Sequence, residues 1–291
     1  METEITPQTI VHHTVEANGI KQHYVEAGSG EPIVLLHGFP LFWYQWRNVI
    51  PILAKQYRVI APDLRGYGAT QKPPTGYDKR TMANDVLALM QTIGIGRAAI
   101  VGHDRGARVA TRFAKDHPDA ASKLVVIDNV PTRVIYETLD SKLAKPQWFF
   151  IFNSVPDLPE ALIAGHEDVW LRYFFSEWCY NPEMISGEDF ETYVKNYQAA
   201  GAVRGAMDDY RAGTEDVAQD DADKDIKIAV PTLALWGEQS HVVAGLFDVP
   251  AIWQEMASHV QFSVIPRCGH LPPEEQPEAV SQAILEFLSA A

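Results

Sequence analysis

An apolar run, Ala98-Ala99-Ile100-Val101, leads directly into Gly102-His103-Asp104-Arg105-Gly106, and residues 107–116 follow with helical character. This strand–turn–helix junction constrains the fold more than any other feature. Glycine on either side of the turn permits a bend so sharp that a Cβ there would clash. The bend lifts its middle residue above a sheet and sets it against a helix N-terminus, where negative charge is stabilised. It has the form of a Gly-x-nucleophile-x-Gly elbow, with Asp104 in the nucleophile's place. An ordinary aspartate in a strand-to-helix turn would read the same way, so the pentapeptide does not decide alone.

The surrounding pattern agrees with a sheet buried on both faces. Short continuous apolar runs recur at 32–37, 58–61, 98–101 and 123–127, as expected of parallel strands covered on both sides. Between them, Met82, Val86, Leu89, Met90 and Ile93 recur at helical spacing over 79–93. Two strands are predicted at 9–17 and 20–26, joined by Asn18-Gly19, a two-residue hairpin signal. Strand–helix alternation stops near 131. Residues 131–225 read as helical and rich in aromatics, with an acidic stretch from 214 to 225 expected to be a solvated loop. Alternation resumes with runs at 230–236 and 260–265 and an amphipathic helix at 277–289. The predicted architecture is α/β, a mostly parallel central sheet flanked by helices. The core is 1–130 with 226–291, and 131–225 is a helical cap or lid over the carboxyl ends of the strands.

Charge excludes several function classes. A net charge of −14 over 291 residues disfavours nucleic acid and anionic membrane surfaces, which need clustered Lys and Arg. A small anionic substrate would require a local positive site against that field. Two cysteines, Cys179 and Cys268, make no disulfide framework and read as free thiols. The N-terminal 19 residues lack a basic start followed by an apolar run, and no stretch approaches the roughly 20 apolar residues of a membrane span. The expected location is cytoplasmic, and the expected partner is a small molecule. A homodimer is the base-rate expectation for assembly.

An aspartate nucleophile implies displacement at carbon, giving an alkyl ester that water must then hydrolyse. Hydrolysis needs a base and a pocket of N–H groups for the oxyanion. Two segments can supply them. Leu35-Leu36-His37-Gly38-Phe39-Pro40 follows the third predicted strand, and Pro266-Arg267-Cys268-Gly269-His270 follows the last. The other nine histidines show no metal-ligand spacing, so no metal or organic cofactor is expected.

The elbow, His37-Gly38-Phe39-Pro40 and Cys268-Gly269-His270 together resemble the branch of the α/β-hydrolase superfamily that holds epoxide hydrolases and haloalkane and haloacetate dehalogenases. The resemblance covers nearly the whole chain. It implies an α/β-hydrolase fold, Asp104 as nucleophile, His270 as base, and the backbone N–H groups of Phe39 and Arg105 as oxyanion donors. Many such relatives carry their third catalytic residue after the strand that ends at Trp236, where this chain offers Glu238 but no aspartate. Haloacetate dehalogenases carry it where Asp128 stands, and Asp128 is the expected acid, with Glu238 the alternative.

Three further positions bear on the substrate. The resemblance implies that Arg105 and Arg108, in the Asp-Arg-Gly-x-Arg pattern, clamp a substrate carboxylate, as guanidinium groups do. Epoxide hydrolases of this kind use two cap tyrosines. Tyr210 matches one, whereas Trp148 stands where the other belongs, which favours dehalogenation. Fluoroacetate-active members have His before that Trp, and this chain has Gln147, so chloride or bromide is the expected leaving group. The expected activity is therefore hydrolytic dehalogenation of short 2-haloacids. The alternative is an epoxide hydrolase, which Phe42-Trp43-Tyr44-Gln45-Trp46-Arg47 and Asp63-Leu64-Arg65-Gly66-Tyr67-Gly68 also resemble.

Overall fold

The computed structural model describes residues 10–138, 140 and 142–290. Residue 9, where the first predicted strand begins, and the first nine of the 19 residues read for a targeting signal lie outside the described residues.

Eight strands form one sheet in the order β1 (Val11–Ala17), β2 (Ile20–Gly28), β4 (Arg58–Pro62), β3 (Pro32–Leu36), β5 (Ala98–His103), β6 (Ala121–Ile127), β7 (Thr232–Gly237), β8 (Val260–Ile265). The β1–β2 and β2–β4 pairs are antiparallel and the remaining pairs are parallel. Asn18 and Gly19 both take positive φ, 50° and 75°, as the tight turn between β1 and β2 requires.

The apolar runs are continuous because each strand feeds two cores. Val34, Leu36, Ile60, Ile100 and Val126 pack on one face, and Ile33, Leu35, Val59, Val101 and Val125 on the other. At the edge, β8 leaves Phe262 and Val264 36% and 47% exposed.

Between β6 and β7 the chain forms seven α-helices among the described residues, from Thr132–Thr138 to Gly213–Ala222. The acidic stretch predicted as a solvated loop is mostly the last of these helices. Its Asp216 is buried 3.2 Å from Lys79 Nζ and accepts the Lys79 backbone N–H at 2.8 Å. The run thus has one face committed to the core, which composition alone does not reveal. No helix among the described residues is long and apolar enough to cross a membrane.

Candidate functional site

The elbow forms as the glycine pattern predicts. Asp104 sits at φ 45°, ψ −114° between β5 and the helix Arg105–Asp116. A Cβ on Gly102 would lie 2.4 Å from Gly106 O, and one on Gly106 would lie 2.3 Å from His37 O, so backbone fills both spaces. Two bonds hold the turn: Asp104 N–H donates to Ile127 O at 3.1 Å, and Asn129 Nδ2 donates to Asp104 O at 2.9 Å. The Asp104 carboxylate accepts the Phe39 backbone N–H at 3.0 Å through Oδ2. The N–H of Arg105, first in its helix, has no helical carbonyl four residues back to donate to.

His270 follows β8 in an irregular loop and is 3% exposed. Its Nδ1 donates to Asp128 Oδ1 at 2.9 Å, and its Nε2 stands 3.8 Å from Asp104 Oδ1. Asp128 follows β6 at φ 46° and is buried. Its carboxylate also accepts the Gly237 N–H at 2.8 Å and the Ser240 hydroxyl at 2.7 Å. Burial works against a charge on His270, but the hydrogen bond and charge of Asp128, with the charges of Asp104 and Glu275, outweigh it and raise its pKa above the ordinary 6.5. Glu238, the alternative acid, is exposed and accepts from Gln239 Nε2 and the Arg267 N–H instead. Geometry therefore selects Asp128 as the partner of His270.

Asp104, Arg108, Asp128, Gln147, Phe149, Phe150, Val242, Val243 and His270 are among the residues around one small cavity. Its volume is about 20 Å³, on a scale where one buried water needs roughly 10–15 Å³. Arg108 is the cation of this cavity. Its guanidinium lies 5.1 Å above the Phe150 ring centroid, and Nη1 makes only a long 3.4 Å contact with Thr132 Oγ1. Nε has no partner, and no carboxylate among the described residues lies within 4.0 Å. Burial, and the neighbouring Arg105 charge, push its pKa below the ordinary value.

Two expectations for the site are corrected. Arg105 does not join Arg108 in a clamp. Its Nε and Nη2 bond the Asp209 carboxylate at 2.9 and 2.6 Å, and Nη2 also bonds the Asp209 carbonyl. Lys79 and the Tyr67 hydroxyl share the same carboxylate, whose pKa these cations hold far below normal despite burial. Coulomb attraction in a buried site fixes Arg105 on Asp209 rather than leaving it to the cavity. Trp148 does not line the cavity either. It turns outward, its indole N–H donates to Tyr173 Oη at 3.0 Å, and Phe149 takes the inward place. Gln147 does line the cavity, but its Nε2 donates to Val242 O at 3.0 Å, and it is Oε1 that lacks a partner.

Tyr210 is buried beneath the Arg105 guanidinium, 4.3 Å from its ring centroid, and packs edge-on against Phe39 and Phe150. Burial, and the nearby Asp104 charge, raise its phenol pKa well above the ordinary value, so it keeps its proton.

Several supports escaped the sequence reading. Asn129, Ser240 and Asp209 hold the turn, Asp128 and Arg105. His103 Nε2 contacts the His270 carbonyl at 2.7 Å, and a carbonyl can only accept, so Nε2 carries the proton. Burial, and His270 beside it, push the His103 pKa down to about 4. For His103 a signal was available, since it lies inside the elbow.

The chain matches the family described as alpha/beta hydrolase fold over residues 31–277. It is 39% identical over 293 residues to the soluble epoxide hydrolase of Corynebacterium sp. (strain C12), covering 99% of each chain. It is also 34% identical over 285 residues to the fluoroacetate dehalogenase of Burkholderia sp, covering 95% of this chain and 93% of that one. Among solved structures, a putative alpha/beta hydrolase from Nostoc sp PCC 7120 superposes with a TM-score of 0.95 at 35% identity, covering 98% of this chain and all of the other. The eight-stranded sheet, the elbow on β5 and these matches have one explanation: the chain is a hydrolase and belongs to the α/β-hydrolase fold family.

Proposed function

We propose that this hydrolase works through an ester on Asp104 and that its substrates are short 2-haloacids. The observation that carries the reading is Arg108, a buried cation at the cavity that holds Asp104, with no carboxylate among the described residues within 4.0 Å of its guanidinium. An unpaired buried charge is costly. A substrate carboxylate would pair with it, whereas a neutral epoxide would leave it alone.

In the first step an Asp104 oxygen attacks the carbon bearing the halogen. A C–O bond forms, and the halide leaves with the electron pair of the broken bond. In the second step a water loses its proton to His270 Nε2 and attacks the Asp104 ester carbonyl. The resulting oxyanion is stabilised by the N–H groups of Phe39 and Arg105. Collapse breaks the acyl–oxygen bond, and the glycolate oxygen takes a proton back from His270, whose charge Asp128 balances; the Asp104 carboxylic acid left behind then loses its proton to solvent and is again the nucleophilic carboxylate. The sum is haloacetate plus water giving glycolate, halide and a proton.

The halide selectivity follows from what surrounds the leaving group. Gln147 is neutral with its N–H drawn to Val242, and Trp148 is turned to Tyr173. Fluoride needs strong donors, so bromide and chloride are the preferred leaving groups. The second reading is an epoxide hydrolase, favoured by the protonated Tyr210 phenol near Asp104 and by the Corynebacterium relative.

The test is a side-by-side assay with bromoacetate, chloroacetate, fluoroacetate and styrene oxide, following halide and diol, with Asp104→Ala as the blank. Halide without diol is the expected result. Diol without halide would replace this reading with the second.

A further inference from the structure

Beyond the charge that helps raise the His270 pKa, Glu275 has no part in the chemistry described above, yet its carboxylate is buried between the His270 loop and the helical insert. Oε1 accepts the backbone N–H groups of Gly269 at 2.9 Å and Leu271 at 3.4 Å, the two neighbours of His270. Oε2 accepts those of Tyr180 at 2.7 Å and Asn181 at 3.3 Å, just beyond the helix Glu167–Trp178. The His270 N–H itself donates to Trp178 O at 2.7 Å. The two segments touch so closely that a Cβ on Gly269 would lie 2.2 Å from Trp178 O. The loop has no regular structure of its own, so these bonds take the place of a strand ladder.

We infer that Glu275 is a positioning residue that aligns His270 by tying its loop to the end of the helix Glu167–Trp178, so that the base is in register only while the insert is seated. The inference rests on the proposed role of His270 as the base of the second step. Each carboxylate oxygen serves a different segment, so no neutral isostere can replace it. A glutamine has one carbonyl oxygen, and its NH₂ would face two N–H donors across one side of the junction. Asp104 is held by other groups, namely Phe39, Asn129 and the β6 backbone. The two half-reactions should therefore separate. Ester formation needs only Asp104, and ester hydrolysis needs His270 in place.

The experiment is rapid-quench kinetics with mass spectrometry on wild type, Glu275→Gln and His270→Gln, using whichever of bromoacetate or styrene oxide the wild type turns over. In Glu275→Gln the first turnover should proceed at the wild-type rate, with one leaving group or ring opening per enzyme. That burst also reports an intact fold. Hydrolysis of the ester should then be about 10–100-fold slower, and the alkylated Asp104 peptide should accumulate. Wild-type hydrolysis in Glu275→Gln, or a parallel loss of both steps, would overturn the inference while an ester trapped in His270→Gln leaves the mechanism standing. Failure of His270→Gln itself to trap an ester would remove the mechanism and the inference with it.

Discussion

His270 Nδ1 points at Asp128 Oδ1 across 2.9 Å, and the same oxygen takes the Ser240 hydroxyl. A carboxylate fixed by several donors can hold the imidazole in one tautomer, with the lone pair of Nε2 turned toward Asp104. Asp128→Asn keeps the size and loses the charge. Turnover should fall by about 10²–10⁴-fold, the range expected when an acid–base contribution is removed. Halide release in the first turnover should persist. A variant that turns over at the wild-type rate would remove Asp128 from the mechanism.

The raised pKa of His270 sets a pH dependence with a definite sign. A base must be unprotonated, so turnover should drop as pH falls through a value above 6.5. Asp128→Asn removes the largest raising influence, and the acid limb of its residual activity should move to lower pH. Stability runs the opposite way. The protonated ring stabilises the fold fully below about 6.5, the unfolded value, and this contribution is lost as pH rises through the raised folded value. Profiles of kcat and of thermal midpoint against pH would show both trends.

Arg105 and Arg108 should fail in different ways. Arg105→Met leaves Asp209 buried with one cation fewer. Breaking a buried pair of this kind costs about 3–5 kcal/mol, which urea unfolding would register. Arg108→Met removes a cation with no carboxylate among the described residues within 4.0 Å. Its stability should hold or rise, while kcat/KM for haloacetate should drop about 10–100-fold, the loss of one hydrogen bond to a charged group. Equal stability losses in the two variants would sink the assignment of a substrate anion to Arg108.

Trp148→Phe tests the outward turn of that side chain. Its indole bonds Tyr173 at the surface of the insert, so kcat should stay within about twofold of wild type, as for surface changes of under about 0.5 kcal/mol. A loss near 100-fold would return Trp148 to the leaving group.

The sheet was legible because burial on both faces leaves a mark in every strand. Runs at 58–61, 98–101 and 260–265 fall within β4, β5 and β8. The elbow was legible because only glycine fits at 102 and 106. Asp128 and His270 were named on the resemblance, with Glu238 left as the alternative acid, and the structure places Asp128 Oδ1 2.9 Å from His270 Nδ1. What remained hidden depends on partners far away in sequence. Nothing near Arg105 announces Asp209, 104 residues on. Nothing in Trp148-Phe149-Phe150 says which aromatic faces the cavity, because rotation about a short helix depends on its packing. Asp216 lies in an acidic run whose composition is that of a solvated surface, and only Lys79 shows otherwise.

The backbone at Asp104 carries one last implication. A side chain held at φ 45°, ψ −114° sits where only glycine is at ease, at a cost of about 1–3 kcal/mol. Asp104→Gly should therefore melt higher than the wild type while doing no chemistry. A search for tougher variants that scores heat resistance alone would discard this aspartate early.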